Sequence, residues 1–137
     1  MAAPKRLLAV FHSEQDCAEL DRILGSAWVV SFRSSPDEAT RALRSGAADV
    51  VLTDSTFAEG RSWKDLLHAL QAMTNPPPLV VADTVADERM WAEVLNLGGF
   101  DLLARPLEYE ETHHVLEMAS HARTGGRKCA VALGAAS

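Results

Sequence analysis

Four short polar clusters in this chain carry residue types that could do chemistry: His12-Ser13-Glu14, Asp54-Ser55-Thr56, Asp83-Thr84 and Arg105-Pro106. Brought together, they would supply two carboxylates, an imidazole and a guanidinium. A carboxylate in such a set can attack phosphorus, provided that cations neutralise the charge that develops. Imidazole and carboxylates together can ligate a transition metal such as Zn²⁺, for which His12, Asp54 and Asp83 are the candidate donors. A guanidinium can instead bridge carboxylates through charge-assisted hydrogen bonds, and Arg105 is expected to do so between Asp54 and Asp83. The plain alternative is that these residues cap helices. That serves for Thr84, with Asp87 three residues later, and fits Asp54 poorly, because the next helical pattern starts several residues on.

The elements that would position these clusters are legible. Apolar runs at Leu7 to Phe11, Trp28 to Phe32, Val50 to Thr53, Leu79 to Ala82 and Phe100 to Ala104 lack strict alternation, as strands buried on both faces do. The second run is less uniform, with Trp28, Val30 and Phe32 on one face and Ser31 on the other, which suits a strand near a sheet edge. Helical segments lie between the runs. The first has a Ser13/Asp16 capping signal and an apolar face of Cys17, Leu20, Ile23 and Leu24. The second starts at Ser35-Pro36-Asp37-Glu38 and presents Ala39, Ala42 and Leu43 before stopping near Gly46. Trp63, Leu66, Leu67 and Leu70 mark the third, which must end before Pro76-Pro77-Pro78. Met90, Trp91, Val94 and Leu95 mark the fourth, with Gly98 as its C-terminal cap. The fifth follows Pro106, with Glu108, Glu110 and Glu111 at its positive end and Val115, Met118, Ala119 and Ala122 inside.

Five βα units in succession imply an α/β domain with a doubly wound, five-stranded parallel sheet covered on both faces. The polar clusters all fall at the carboxyl ends of strands, where open α/β sheets bind ligands. Residues 1–123 are expected to form the domain and 124–137, rich in Gly, Ala and Ser, a flexible tail. Arg127 and Lys128 in that tail are read as solvated charges. A length of 137 residues suits one domain. The formal net charge of −6 argues against a nucleic-acid surface, which needs clustered Lys and Arg. No apolar run approaches the ~20 residues of a membrane span. The start, Met1 to Arg6 followed by a short apolar run, does not suit a signal peptide. Cys17 and Cys129 form no disulfide framework and no zinc spacing, so a cytoplasmic location is expected.

Three stretches carry a family resemblance. Asp49-Val50-Val51-Leu52-Thr53-Asp54 resembles the third strand of the receiver domains of two-component response regulators, which ends in the aspartate that accepts a phosphoryl group. Pro78-Leu79-Val80-Val81-Ala82 resembles their fourth strand. Asn96 to Leu107 resembles their stretch from a helix-ending Gly to a Lys-Pro pair, here Arg105-Pro106. The likeness covers roughly Lys5 to Arg123. It implies a flavodoxin-like strand order 2-1-3-4-5, a cis Arg105-Pro106 bond, Asp54 as the phosphorylation site, and signalling in a phosphorelay. It also implies a sensor histidine kinase or a downstream protein as partner, with homodimerisation through the face of the fourth helix, fifth strand and fifth helix.

The departures lie in the same site. Receivers end their first strand with two acidic residues that help hold Mg²⁺, where this chain has Phe11-His12. A hard cation asks for oxygen ligands that neither supplies, and Glu14 is expected to start the first helix. The hydroxyl residue ending the fourth strand becomes Asp83, or Thr84 with a slip of one. The Lys becomes Arg105, a planar fork rather than a point charge. The switch aromatic becomes Leu102, and the loop after Asp54 lacks the family's Pro. Asp54 is thus expected to keep at most weak Mg²⁺ binding, and the chain reads as an atypical receiver, a pseudo-receiver acting through protein contacts rather than an enzyme. A conventional receiver is the runner-up. Asp54-Ser55-Thr56 also faintly matches the start of a haloacid-dehalogenase phosphatase signature, without its second Asp. His68, His113, His114 and His121 are expected on solvated helix faces.

Overall fold

The structure is a computed structural model, which describes residues 4–46 and 48–125. Its elements are β1 (Lys5–Val10), α1 (Glu14–Leu24), β2 (Trp28–Arg33), α2 (Pro36–Ser45), β3 (Val50–Asp54), α3 (Trp63–Gln71), β4 (Leu79–Asp83), α4 (Glu88–Leu97), β5 (Asp101–Ala104) and α5 (Tyr109–Gly125), with a 3₁₀ turn at Ala58–Gly60. The five strands form one parallel sheet in the order β2-β1-β3-β4-β5. The backbone of α5 continues past Arg123, where the composition changes. Most of the expected tail lies outside the described residues.

Alternation along each strand divides the core into two layers. Leu7, Ala9 and Phe11 pack with Val50, Leu52, Val80, Ala82 and Leu103 under α1 and α5. Leu8, Val10, Val51, Leu79 and Val81 pack on the other face under α2, α3 and α4. β3 and all but the last residue of β4 are buried. Edge strand β2 alternates, as the sequence pattern suggests.

Helix starts follow local chemistry. Ser35 accepts a hydrogen bond from Glu38 N at 3.2 Å and Pro36 opens α2. Ser62 and Asp65 form a full capping box on α3. The Ser13 hydroxyl accepts from Asp16 N at 3.4 Å, but the reciprocal bond is not made, and the Asp16 carboxylate is used elsewhere. α4 is capped by Asp87, whose side chain accepts from Met90 N at 2.9 Å, so Thr84 is not the cap. It sits exposed in the turn between β4 and α4. Gly98 closes α4 at φ 117°, and a Cβ on Gly99 would lie 2.5 Å from Val94 Cγ1.

Three expectations of inward-facing residues fail. In α4 only Val94 is buried, while Trp91 and Leu95 remain exposed. In α5 Leu116 occupies the inner face and Met118 is 53% exposed. A helix lying on one edge of a sheet buries a narrow stripe, so residues one position off that stripe return to solvent. His113 differs in the opposite direction: its Nε2–H donates to Ile23 O at 2.9 Å, tying α5 to α1.

Candidate functional site

The order 2-1-3-4-5 reverses direction between β1 and β3, and the crevice at their carboxyl ends is the place where such sheets bind ligands. Asp54 is the last residue of β3, and His12 follows β1 after the buried Phe11. A parallel ladder between β1 and β3 puts Val10 beside Thr53, so His12 and Asp54 come together at the tip of the sheet. Arg105 arrives from beyond β5, where its backbone N–H continues the ladder to Asp83 O at 2.9 Å. The Arg105–Pro106 peptide is cis.

Asp54 has a side chain only 3% exposed, and basic groups hold both of its oxygens. Oδ2 accepts from the backbone N–H of His12 at 3.0 Å and lies 2.6 Å from His12 Nδ1. Oδ1 lies 2.5 Å from Arg105 Nη1. This last contact is an ion pair without an aligned N–H: Asp54 Oδ1 has no hydrogen-bond partner, and Arg105 Nη1 donates to Ala82 O at 3.4 Å. The guanidinium lies 4.6 Å above the Phe11 ring, reaches Asp16 at 3.6 Å, and is 13% exposed. Phe11 therefore provides a stacking platform for the cation at a place where the resemblance implies an acid.

Asp83 belongs to a separate arrangement. Its carboxylate accepts a short hydrogen bond from the Ser55 hydroxyl and another from Val85 N at 2.8 Å. Arg105 thus bridges Asp54 and Asp16 rather than Asp54 and Asp83. The physical reason is register: Ala82, not Asp83, stands opposite Asp54, which leaves Asp83 one step further along the strand and closer to Ser55. The zinc set of His12, Asp54 and Asp83 is accordingly not assembled, and among the described residues no three His, Cys, Asp or Glu side chains come together in a metal-holding group. Glu14 is exposed as the first residue of α1. Leu102 is half-buried against the α2–α4 layer.

Two contributors escaped the sequence reading. Asp16 was explained as a cap, although its place in the first turn of α1, four residues beyond His12, puts it over the same strand ends. Phe57, in the loop after β3, packs edge-on against His12 with ring centroids 5.8 Å apart. Beside them Cys17 is kept protonated: burial pushes its thiol above the ordinary value, and Asp54, Asp16 and Glu14 push the same way while Arg105 pulls it down. Of the other histidines, His68, His114 and His121 are exposed.

No protein-family model matches the chain, and no curated protein matches it in sequence. Solved structures do. The signal receiver domain of an HD domain-containing protein from Pseudomonas fluorescens Pf-5 aligns with a TM-score of 0.80 at 18% identity, covering 93% of this chain and 95% of that one. A two-component response regulator from Clostridium difficile aligns at 0.75 and 18% identity, covering 88% and 99%. The receiver domain of a sensor histidine kinase from Pseudomonas aeruginosa PAO1, solved with a magnesium ion in its active-site cleft, aligns at 0.76 and 19% identity, covering 87% and 99%. The expected strand order and βα alternation are both present, and the chain has the receiver-domain fold of two-component signalling proteins.

Proposed function

We propose that this protein is an atypical receiver, a signalling module of a two-component phosphorelay in which Mg²⁺-dependent phosphorylation of Asp54 is weakened or lost and the output is protein contact. One observation carries the reading: the Asp54 carboxylate is already paired with the Arg105 guanidinium and accepts the backbone N–H of His12. Receiver chemistry places a metal and the incoming phosphoryl oxygens around that carboxylate, and the cation does much of the charge neutralisation. Among the described residues no metal-holding group gathers at Asp54: the residue that ends the β1 run is the apolar Phe11, and Asp16 is paired with Arg105. That donor set does not fit Mg²⁺, which demands near-octahedral oxygen ligation.

The partner is a sensor histidine kinase or a downstream protein. The face of α4, β5 and α5 suits it: Trp91, Leu95 and Met118 are exposed there and line a shallow pocket of about 210 Å³ with His114. Exposed apolar clusters of this kind mark interaction surfaces. With a half-buried Leu102 against the α2–α4 layer instead of a mobile aromatic, the face keeps one conformation whether or not a phosphodonor is present. A second copy of the chain is the alternative occupant.

Amide NMR during a Mg²⁺ titration, with and without beryllofluoride, tests the proposal. Signals around Asp54 should not saturate at low-millimolar Mg²⁺, and saturation would favour a conventional receiver. His12→Asp is the variant chosen to restore an acid, because Phe11→Asp would bury a carboxylate among Leu20, Leu52 and Leu116. Partner affinity should be equal for wild type and Asp54→Asn. A tenfold difference, about 1.4 kcal/mol, together with enhancement by a phosphodonor, would establish a working switch. The conventional reading has one observation in its favour: Arg105 Nη2 makes only a 3.6 Å ion pair with Asp16 and no hydrogen bond, which leaves its N–H groups for a phosphoryl oxygen.

A further inference from the structure

The α4–β5–α5 face carries charge as well as apolar surface. Trp91 on α4 and Met118 on α5 are 48% and 53% exposed, and Phe100 and Val115 line the pocket they share. Asp101 and His114 are its polar residues, and among the described residues no Lys or Arg lines it. Asp101 Oδ1 accepts from Trp91 Nε1 at 3.1 Å and from Leu102 N at 2.8 Å. Both bonds use the same oxygen, so Oδ2 is left for a donor from outside.

Further carboxylates stand around this cluster. Helical spacing puts Glu88 one turn before Trp91, and Glu110 and Glu111 one turn before His114, on the same helix faces. All three are exposed, and among the described residues neither they nor Asp101 are paired with a cation. The neighbouring cations are engaged or turned away. Lys64 pairs with Glu93 at 2.7 Å, and Arg89, two residues before Trp91, lies about 200° round α4 from it.

We propose that this face binds a basic amphipathic helix of a partner protein, which seats an apolar side chain between Trp91 and Met118 and sets Lys or Arg against Glu88, Asp101 and Glu111. The proposal rests on the reading of this face as the output surface and names the chemistry of what it receives. Charge disfavours a second copy of the chain, because a two-fold dimer through this face would bring its own acids together. The backbone disfavours an extended strand. β5 has only four residues, and its Leu102 N–H is already given to Asp101, so the edge offers few groups for strand addition. A helix satisfies its own backbone and lays side chains at i, i+3, i+4 and i+7 into an apolar groove. The Trp91 ring adds a surface on which a cation can rest.

The test uses the full chain and a capped peptide of about 18 residues, long enough to hold a helix, with Leu along one helical face and Lys elsewhere. One control peptide has Glu in place of Lys, and a second has Ser in place of Leu. Binding is followed by amide and indole NMR without Mg²⁺. The expected result is saturable shifts centred on Trp91, Asp101, His114 and Met118, helix formation in the peptide by circular dichroism, and at least tenfold weaker binding of both controls. Met118→Ser, and separately Glu88→Lys combined with Glu111→Lys, should each weaken the Lys peptide at least tenfold. These positions are exposed, and circular dichroism checks that the variants fold. Four results would overturn the proposal: no saturable binding, shifts centred on the acidic α1 instead, equal affinity for the Glu peptide, or a dimer in sedimentation that Met118→Ser dissolves. None of the four touches the atypical-receiver reading, which the Mg²⁺ titration decides. Saturation by Mg²⁺ would sink that reading while the peptide affinity, measured without the metal, is judged separately.

Discussion

Removing the guanidinium of Arg105 is the sharpest probe of how this site is held together. Arg105 and Asp54 have side chains 13% and 3% exposed, with Nη1 and Oδ1 2.5 Å apart. Two unit charges about 4 Å apart attract by about 4 kcal/mol at an effective dielectric of about 20. Desolvation offsets part of this, yet it has already been incurred by Asp54 and is not recovered when only its partner is removed. Breaking a buried pair from one side costs about 3–5 kcal/mol when the survivor is left alone. Here Asp54 keeps the His12 backbone N–H as a donor and the imidazole close by, which lowers the expectation to about 2–3 kcal/mol. Arg105→Met is the better variant, because its chain still covers the Phe11 ring and separates lost charge from lost packing. With a urea m-value of about 2 kcal/mol/M, the unfolding midpoint should fall by about 1–1.5 M. A double-mutant cycle with Asp54→Asn should give a coupling of about 1.5 kcal/mol or more. The reasoning is refuted if Arg105→Met costs less than about 1 kcal/mol and the coupling is near zero, the behaviour of an exposed pair.

Three further outcomes follow from other parts of the structure. Gly99→Ala should destabilise by about 1–3 kcal/mol in urea unfolding, because its Cβ would lie 2.5 Å from Val94 Cγ1 and 3.1 Å from Val94 O, and a backbone oxygen cannot step aside. Cys17 should react slowly with iodoacetamide at neutral pH in a Cys129→Ser background, and Arg105→Met should slow it further, since Arg105 is the group that lowers its pKa; a rate matching a free thiol would contradict this. The Arg61 guanidinium, hydrogen-bonded to Asp37 at 3.0 and 3.2 Å, holds that carboxyl below its ordinary value. A depressed folded pKa contributes stability that is present above the ordinary carboxylate value and lost as pH falls through the lowered one. The difference in urea midpoint between wild type and Asp37→Asn should therefore be small at neutral pH, shrink with added salt, and vanish as pH falls through that lowered value.

The linear order of elements, the buried strands and the helix starts were legible because they depend on neighbours in sequence. Continuous apolar runs such as Val50 to Leu52 can only be strands buried on both faces in a chain that alternates with helices. Ser35-Pro36 can satisfy helical N–H groups without knowing what the helix packs against. The coincidence of His12, Asp54 and Arg105 at one rim was legible for the same reason, because strand ends of a parallel sheet all point one way. What each polar group binds was not. Asp16 and Asp83 are both carboxylates within reach of the rim, and only the β3–β4 register decides that Asp83 falls to Ser55 while Arg105 takes Asp16. Trp91 and Met118 have the helical period of core residues, and only the width of the surface beneath α4 and α5 decides that they face solvent. His113 looked like a surface residue until the approach of α1 put the Ile23 carbonyl 2.9 Å away. Pattern and capping act over one helical turn, whereas the pairing of charges depends on distances between elements far apart in the chain, and those exist only once the sheet has closed.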